Sequence, residues 1–128
     1  MLRSKTICII DDDPIYQLVT QKLIDKSGLF SDTFSFRSGE DAIHHLTKTD
    51  SFPDVILLDI EMPQMDAWDF LNEMTFQFES QSTQIKSIYI VSSSIATEDK
   101  LRAEKYDFVK CFLSKPIDLE KLKMIAEH

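Results

Sequence analysis

Four short apolar runs set the limits on this fold: Ile7–Ile10, Val55–Leu58, Ile88–Val91 and Cys111–Leu113. Each is dense in branched or aromatic side chains, and none alternates apolar with polar residues. A strand with one wet face alternates, whereas a strand covered on both faces does not. The runs therefore predict strands of a parallel sheet buried between layers of helix. A fifth, more polar stretch, Thr33–Phe36, suits an edge or second strand.

Between the runs the pattern turns helical. Ile15, Leu18, Val19 and Leu23 share one helical face, with Pro14 suited to the first turn and Gly28 to the stop. Ser38 can cap a second helix that turns Ala42, Ile43 and Leu46 inward. Asp66 can cap a third, with Ala67, Phe70, Leu71, Met74 and Phe78 facing in. Thr97 can cap a fourth, whose thin apolar face rests mainly on Leu101. Asp118 can cap a fifth, with Leu119, Leu122 and Ile125. Strand and helix alternate five times, which predicts a doubly wound α/β fold with helices on both faces of a five-stranded parallel sheet. In such sheets ligands bind beyond the carboxyl ends of the strands.

Composition removes several function classes. The 128 residues suffice for one domain and one core, and residues 1–128 read as a single domain with no output domain beside it. Neither a membrane-length apolar run nor a signal-peptide pattern occurs, so a cytoplasmic location is expected. The formal net charge of −8 disfavours nucleic-acid backbones and anionic membrane surfaces. Cys8 and Cys111 sit in apolar runs and read as reduced core thiols. His44 and His45 are adjacent on a helix, point about 100° apart and make a poor chelate.

The chemistry lies where the runs stop. The first ends in Asp11-Asp12-Asp13, the second in Asp59, the third in Ser92-Ser93-Ser94 and the last in Ser114-Lys115-Pro116. Taken alone, Asp11–Asp13 reads as a solvated loop, Asp59 or Ser92 as a cap, and Lys115 as surface. Together they place carboxylates, a hydroxyl and an ammonium on one sheet edge. Converging carboxylates raise one another's pKa or take up a cation. An all-oxygen site suits Mg²⁺, and a hydroxyl and an ammonium beside it can hold phosphoryl oxygens. A carboxylate there can itself be the nucleophile.

These residues carry a resemblance to the receiver domain of two-component response regulators. The stretches are Ile9–Pro14, Leu57–Asp66, Ile90–Ser93 and Phe112–Ile117, and the similarity covers essentially the whole chain. It implies the flavodoxin-like, CheY-like strand order 2-1-3-4-5. It implies Asp59 as phosphoacceptor, and Mg²⁺ or Mn²⁺ held by Asp12 directly, Asp11 through water, Asp59 and the backbone carbonyl of Glu61. Ser92 would be the switch hydroxyl, Lys115 the phosphoryl counter-ion and Phe112 the switch aromatic. The Lys115–Pro116 bond would be cis, and Asp13 falls outside the site. The partners implied are a sensor histidine kinase or phosphotransfer protein and a downstream protein target, with pairing of two copies on phosphorylation. No catalysis is expected beyond the protein's own phosphorylation and dephosphorylation.

Ala67 stands where the family usually has glycine, which leaves the loop shape after Met65 open. Ser92 stands for the commoner threonine. Glu61 and Ser94 occupy positions that tune phosphoryl lifetime in the family, with no sign assigned. Two other readings share these residues. One is a receiver-like module that signals without phosphate. The other is a haloacid dehalogenase-like phosphatase built on Asp59-Ile60-Glu61, although that family's second acid is Asp and its motif lies on the first strand. A flavin site is weaker still, because no phosphate-cradling loop follows the first run.

Overall fold

The computed structural model describes residues 5–48, 52–62, 64–77, 87–93 and 97–127. Ten elements alternate along it. They are β1 (Lys5–Ile10), α1 (Pro14–Ser27), β2 (Phe30–Phe36), α2 (Gly39–Leu46), β3 (Val55–Asp59), α3 (Ala67–Gln77), β4 (Ser87–Ser92), α4 (Thr97–Ala103), β5 (Val109–Ser114) and α5 (Leu119–Glu127). The strands form one parallel sheet in the order β2-β1-β3-β4-β5. The polar strand, β2, lies on one edge and β5 on the other, so the runs of β1, β3 and β4 lie inside while Cys111 and Phe112 of β5 are only half-buried.

Successive strand residues point to opposite faces, and the core divides accordingly. Cys8, Ile10, Ile56, Leu58, Ile88 and Ile90 join Ala42 and Leu46 of α2, Phe70, Leu71 and Met74 of α3, and Ala103 of α4. Ile7, Ile9, Val55, Leu57, Tyr89, Val91 and Leu113 join Ile24 of α1 and Leu122 and Ile125 of α5. Three helices thus cover one face and two the other. At the amino end of the sheet, buried Asp54 accepts from the Thr6 amide at 2.9 Å and donates its own amide to the Thr6 hydroxyl at 3.0 Å. This acid pins the start of β1 to the start of β3, away from the strand ends that matter below.

Most of the expected caps are present. Ser38 Oγ accepts from the Asp41 amide at 3.0 Å, and Asp118 Oδ1 from the Lys121 amide at 2.9 Å. Asp66 and Asp69 cap each other's amides reciprocally at 2.9 and 3.4 Å. Pro14 opens α1, and Gly28 closes it at φ 67°, a left-handed conformation that costs an L side chain energy. Thr97 opens α4; its side chain, like all of Phe78, lies outside the described residues.

Three helical faces differ from the sequence expectation. On α1, Ile15, Leu18 and Val19 are 72%, 57% and 58% exposed, while Gln17, Thr20 and Ile24 are buried. The cause is polar. Gln17 donates its side-chain amide to the carbonyls of Asp11, at 2.8 Å, and of Phe36. The Asp11 carbonyl follows β1, and the Phe36 carbonyl ends β2 and also accepts from the Asp11 amide; the helix turns its amide face inward to meet them and its apolar stripe outward. On α4 the inward residue is Ala103, small enough for close approach, and Leu101 is exposed. On α5, Leu122 and Ile125 are buried and Leu119 faces solvent.

Candidate functional site

The carboxyl ends of β1, β3, β4 and β5 converge because the strands run parallel and in register. Asp59 pairs with Val91, the residue before Ser92, and Ser92 pairs with Ser114, the residue before Lys115. The Lys115 amide donates to the Ser92 carbonyl at 2.9 Å, which carries the β4–β5 ladder one step past the strands. Asp11 follows β1 directly, and its amide donates to the Phe36 carbonyl of β2 at 3.1 Å. Asp11, Asp59 and Ser92 are all buried.

The Lys115 ammonium joins the acids. Its Nζ lies 2.8 Å from Asp11 Oδ2 and 3.1 Å from Asp59 Oδ1. One cation therefore pairs with two members of a three-carboxylate cluster, the oxygens of Asp11, Asp12 and Asp59 lying within 4.8 Å of one another. The imbalance shows in the pKa of Asp59. Burial, then the Asp11 carboxylate, push Asp59 up to about 6 from an ordinary 3.8, against the pull of Lys115. Burial opposes the Lys115 charge, but Asp11 and Asp59 outweigh it and hold that pKa above the usual lysine value. The site is short of positive charge. Its donors are hard oxygens, so the residues present fit Mg²⁺ or Mn²⁺, which would supply the missing charge.

Glu61 is exposed, two residues past Asp59, and lines a cavity of about 420 Å³ with Ile60, Met62, Asp66, Trp68 and Asp99. Phe112 pairs with Ile90, is half-buried, and packs against the core face that carries α2, α3 and α4. Asp13 caps α1 through the amides of Ile15 and Tyr16 at 2.9 and 3.3 Å, outside the acid cluster. The Lys115–Pro116 bond is cis. In the loop after Asp59 the left-handed residue is Gln64, at φ 70°, and Ala67 begins α3, so alanine there meets no backbone strain. His44 and His45 are both exposed, and His45 lies 5.2 Å from the Phe36 ring centre.

Trp68 is 4% exposed and stacks on Tyr106, with the Arg102 guanidinium 4.7 Å from its ring centre. Cys8 is fully buried, and burial pushes its thiol up to about 12, which leaves it inert. Two contributions had no sequence signal. Gln17 closes the β1 and β2 carbonyls, and Tyr16 places its ring centre 4.2 Å from Lys115 Nζ. Both depend on how α1 is rotated, which apolar periodicity misassigned.

Comparison with known proteins agrees with this fold. The family model described as the response regulator receiver domain matches residues 7–127. The regulatory protein AtoC of Escherichia coli is 31% identical over 128 residues, all of this chain, and the match spans 26% of that protein. A probable methanogenesis regulatory protein of Methanothrix harundinacea is 24% identical over 95% of this chain and 79% of its own length. The crystal structure of a two-component response regulator from Cytophaga hutchinsonii superposes with a TM-score of 0.88 at 26% identity, covering 98% of this chain and 96% of that one.

Proposed function

The chain belongs to the response regulator receiver family, and from that premise we propose that it accepts a phosphoryl group on Asp59 and thereby changes the surface it shows to a protein partner. The observation that carries the reading is the Lys115 ammonium held between Asp11 and Asp59, one residue from the strand pair that ends in Ser92 and Ser114.

The donor is a phosphohistidine on a sensor kinase or phosphotransfer protein. An Asp59 carboxylate oxygen attacks the phosphorus, an O–P bond forms, and the P–N bond breaks. The electron pair leaves with the imidazole nitrogen, which takes up a proton. Asp59 is poorly solvated yet still largely ionised at neutral pH, since its pKa is about 6, which suits a nucleophile. A hard divalent cation held by Asp11, Asp12, Asp59 and the Glu61 carbonyl would neutralise the charge that gathers on the phosphoryl oxygens. Lys115 pairs with one of those oxygens and the Ser92 hydroxyl donates to another.

Drawing Ser92 toward the phosphoryl group opens space that Phe112 follows into, and α4, β5 and α5 present the altered face. The α4 helix is the part most readily displaced, because its inward anchor is a single alanine and Leu101 faces solvent. That face serves a downstream protein or a second copy of this chain. The donor docks on the other side of the site, where Ile15, Leu18 and Val19 of α1 form an exposed apolar stripe directly after Asp11–Asp13.

Intact mass after incubation with acetyl phosphate and Mg²⁺ tests the reading. One phosphoryl adduct is expected on the wild type, none on Asp59→Asn, and none when the metal is chelated. An adduct that persists on Asp59→Asn would overturn the assignment.

A further inference from the structure

The ammonium of Lys115 is bounded on a third side. Besides its two carboxylates at 2.8 and 3.1 Å, the centre of the Tyr16 ring lies 4.2 Å from Nζ. That is well inside the range of a cation–π contact. The ring is itself held. Tyr16 stands in the first turn of α1, where Asp13 caps its amide at 3.3 Å. Its hydroxyl lies beside Thr20 and the backbone of Ile117, buried, and makes no well-formed hydrogen bond among the described residues. What this side chain offers the site is therefore the face of its ring, which a phenylalanine would offer equally.

A lysine stem is long and flexible, and the two carboxylates fix its ammonium from one side only. A third carboxylate would hold it but would compete with the incoming phosphoryl oxygens. A ring face attracts the cation, has no lone pair aimed at its protons, and keeps water off one side, which strengthens the attraction to an anion opposite. The Lys115 side chain is accordingly only 19% exposed at the mouth of the site.

We propose that Tyr16 is a positioning residue for phosphoryl transfer, its ring face fixing the Lys115 ammonium where the phosphoryl oxygens arrive. The inference rests on the reading of Asp59 as phosphoacceptor. The experiment is a double-mutant cycle on the rate of adduct formation from acetyl phosphate with saturating Mg²⁺, followed by intact mass. Tyr16→Leu lowers the rate about 3- to 30-fold, the span expected for losing a partly desolvated cation–π contact. Tyr16→Phe stays within about 2-fold of wild type, because the ring face is retained. In a Lys115→Ala background, Tyr16→Leu has no further effect, because the group it positions is gone.

A merely structural role for Tyr16 would slow both backgrounds alike, and that result overturns the proposal. So does a Tyr16→Leu rate equal to wild type, or a Tyr16→Phe rate as low as Tyr16→Leu. If wild type itself takes up no phosphoryl group while remaining folded by circular dichroism, the phosphoacceptor reading fails first and this inference falls with it. The two failures are thus told apart by the wild-type lane.

Discussion

A buried carboxylate beside another carboxylate resists ionisation, and Asp59 shows the consequence. Its pKa in the folded chain is about 6, against an ordinary 3.8. Between those two values the folded state keeps a proton that the unfolded chain has released. Stability in the absence of metal therefore falls as pH rises from about 4 to about 6, and the cost is fully present above that window. Asp59→Asn removes the ionising group. In chelator, the variant is expected to be more stable than wild type at pH 8 by about 1–2 kcal/mol, after discounting for solvent at the mouth and the altered Lys115 contact. The gain shrinks toward zero as pH falls to about 4. Urea melts at pH 5 and pH 8 measure it. An asparagine variant less stable than wild type at pH 8 would mean that Lys115 already balances the acids. Asp11, Asp12, Asp59, Ser92 and Lys115 were legible in the sequence because each lies at or within two residues of the point where an apolar run stops, and parallel register brings such ends together. Tyr16 was not, because its contact joins the first turn of one helix to a connection about a hundred residues later, and no local pattern encodes that meeting.

At the scale of elements, the strands could be read from runs apolar on both faces and the helices from their caps, but their order came only from the family resemblance, and not every buried face was legible. The α1 stripe is the instructive case. Ile15, Leu18 and Val19 have helical spacing, yet two strand-end carbonyls recruit Gln17 and turn the stripe to solvent. Turning the helix the other way would strip the Asp11 carbonyl of its Gln17 partner, and hydrophobic periodicity takes no account of carbonyls. The exposed stripe gives a prediction of its own. Leu18→Glu should lower the rate of transfer from a cognate phosphohistidine protein about tenfold or more, as loss of an interface anchor does. It should leave transfer from acetyl phosphate unchanged. Equal rates from the protein donor would show that donors approach elsewhere. The ends of α1 are also predictable. At Gly28 an added Cβ would meet nothing within 4 Å, so Gly28→Ala isolates backbone strain at φ 67°. It should cost about 1–2 kcal/mol in a urea melt. Asp13→Ala, which removes the cap on Ile15 and Tyr16, should cost about 1 kcal/mol.

For the molecule as a whole, charge sets the last expectation. The chain carries a formal net charge of −8, so any salt relieves some self-repulsion and raises stability slightly. A divalent cation bound among Asp11, Asp12 and Asp59 would do more, because those oxygens converge only in the folded chain. A ligand specific to the folded state stabilises by RT ln(1 + [L]/Kd), or about 2.7 kcal/mol at a hundred times Kd. For a domain of this length that is a rise in Tm of roughly 6–15 °C. Screening and binding separate by their dependence on residue and pH. Sodium chloride at matched ionic strength should shift wild type and Asp12→Ala equally, whereas Mg²⁺ should add its larger shift to wild type alone. The Mg²⁺ shift should also be greater at pH 8 than at pH 5, since below about 6 a proton competes with the cation for Asp59. A thermal melt of both proteins at both pH values decides the matter. If Mg²⁺ stabilises Asp12→Ala as much as wild type, the cation is acting on the acidic surface at large, and the charge deficit around Asp59 is met by Lys115 alone.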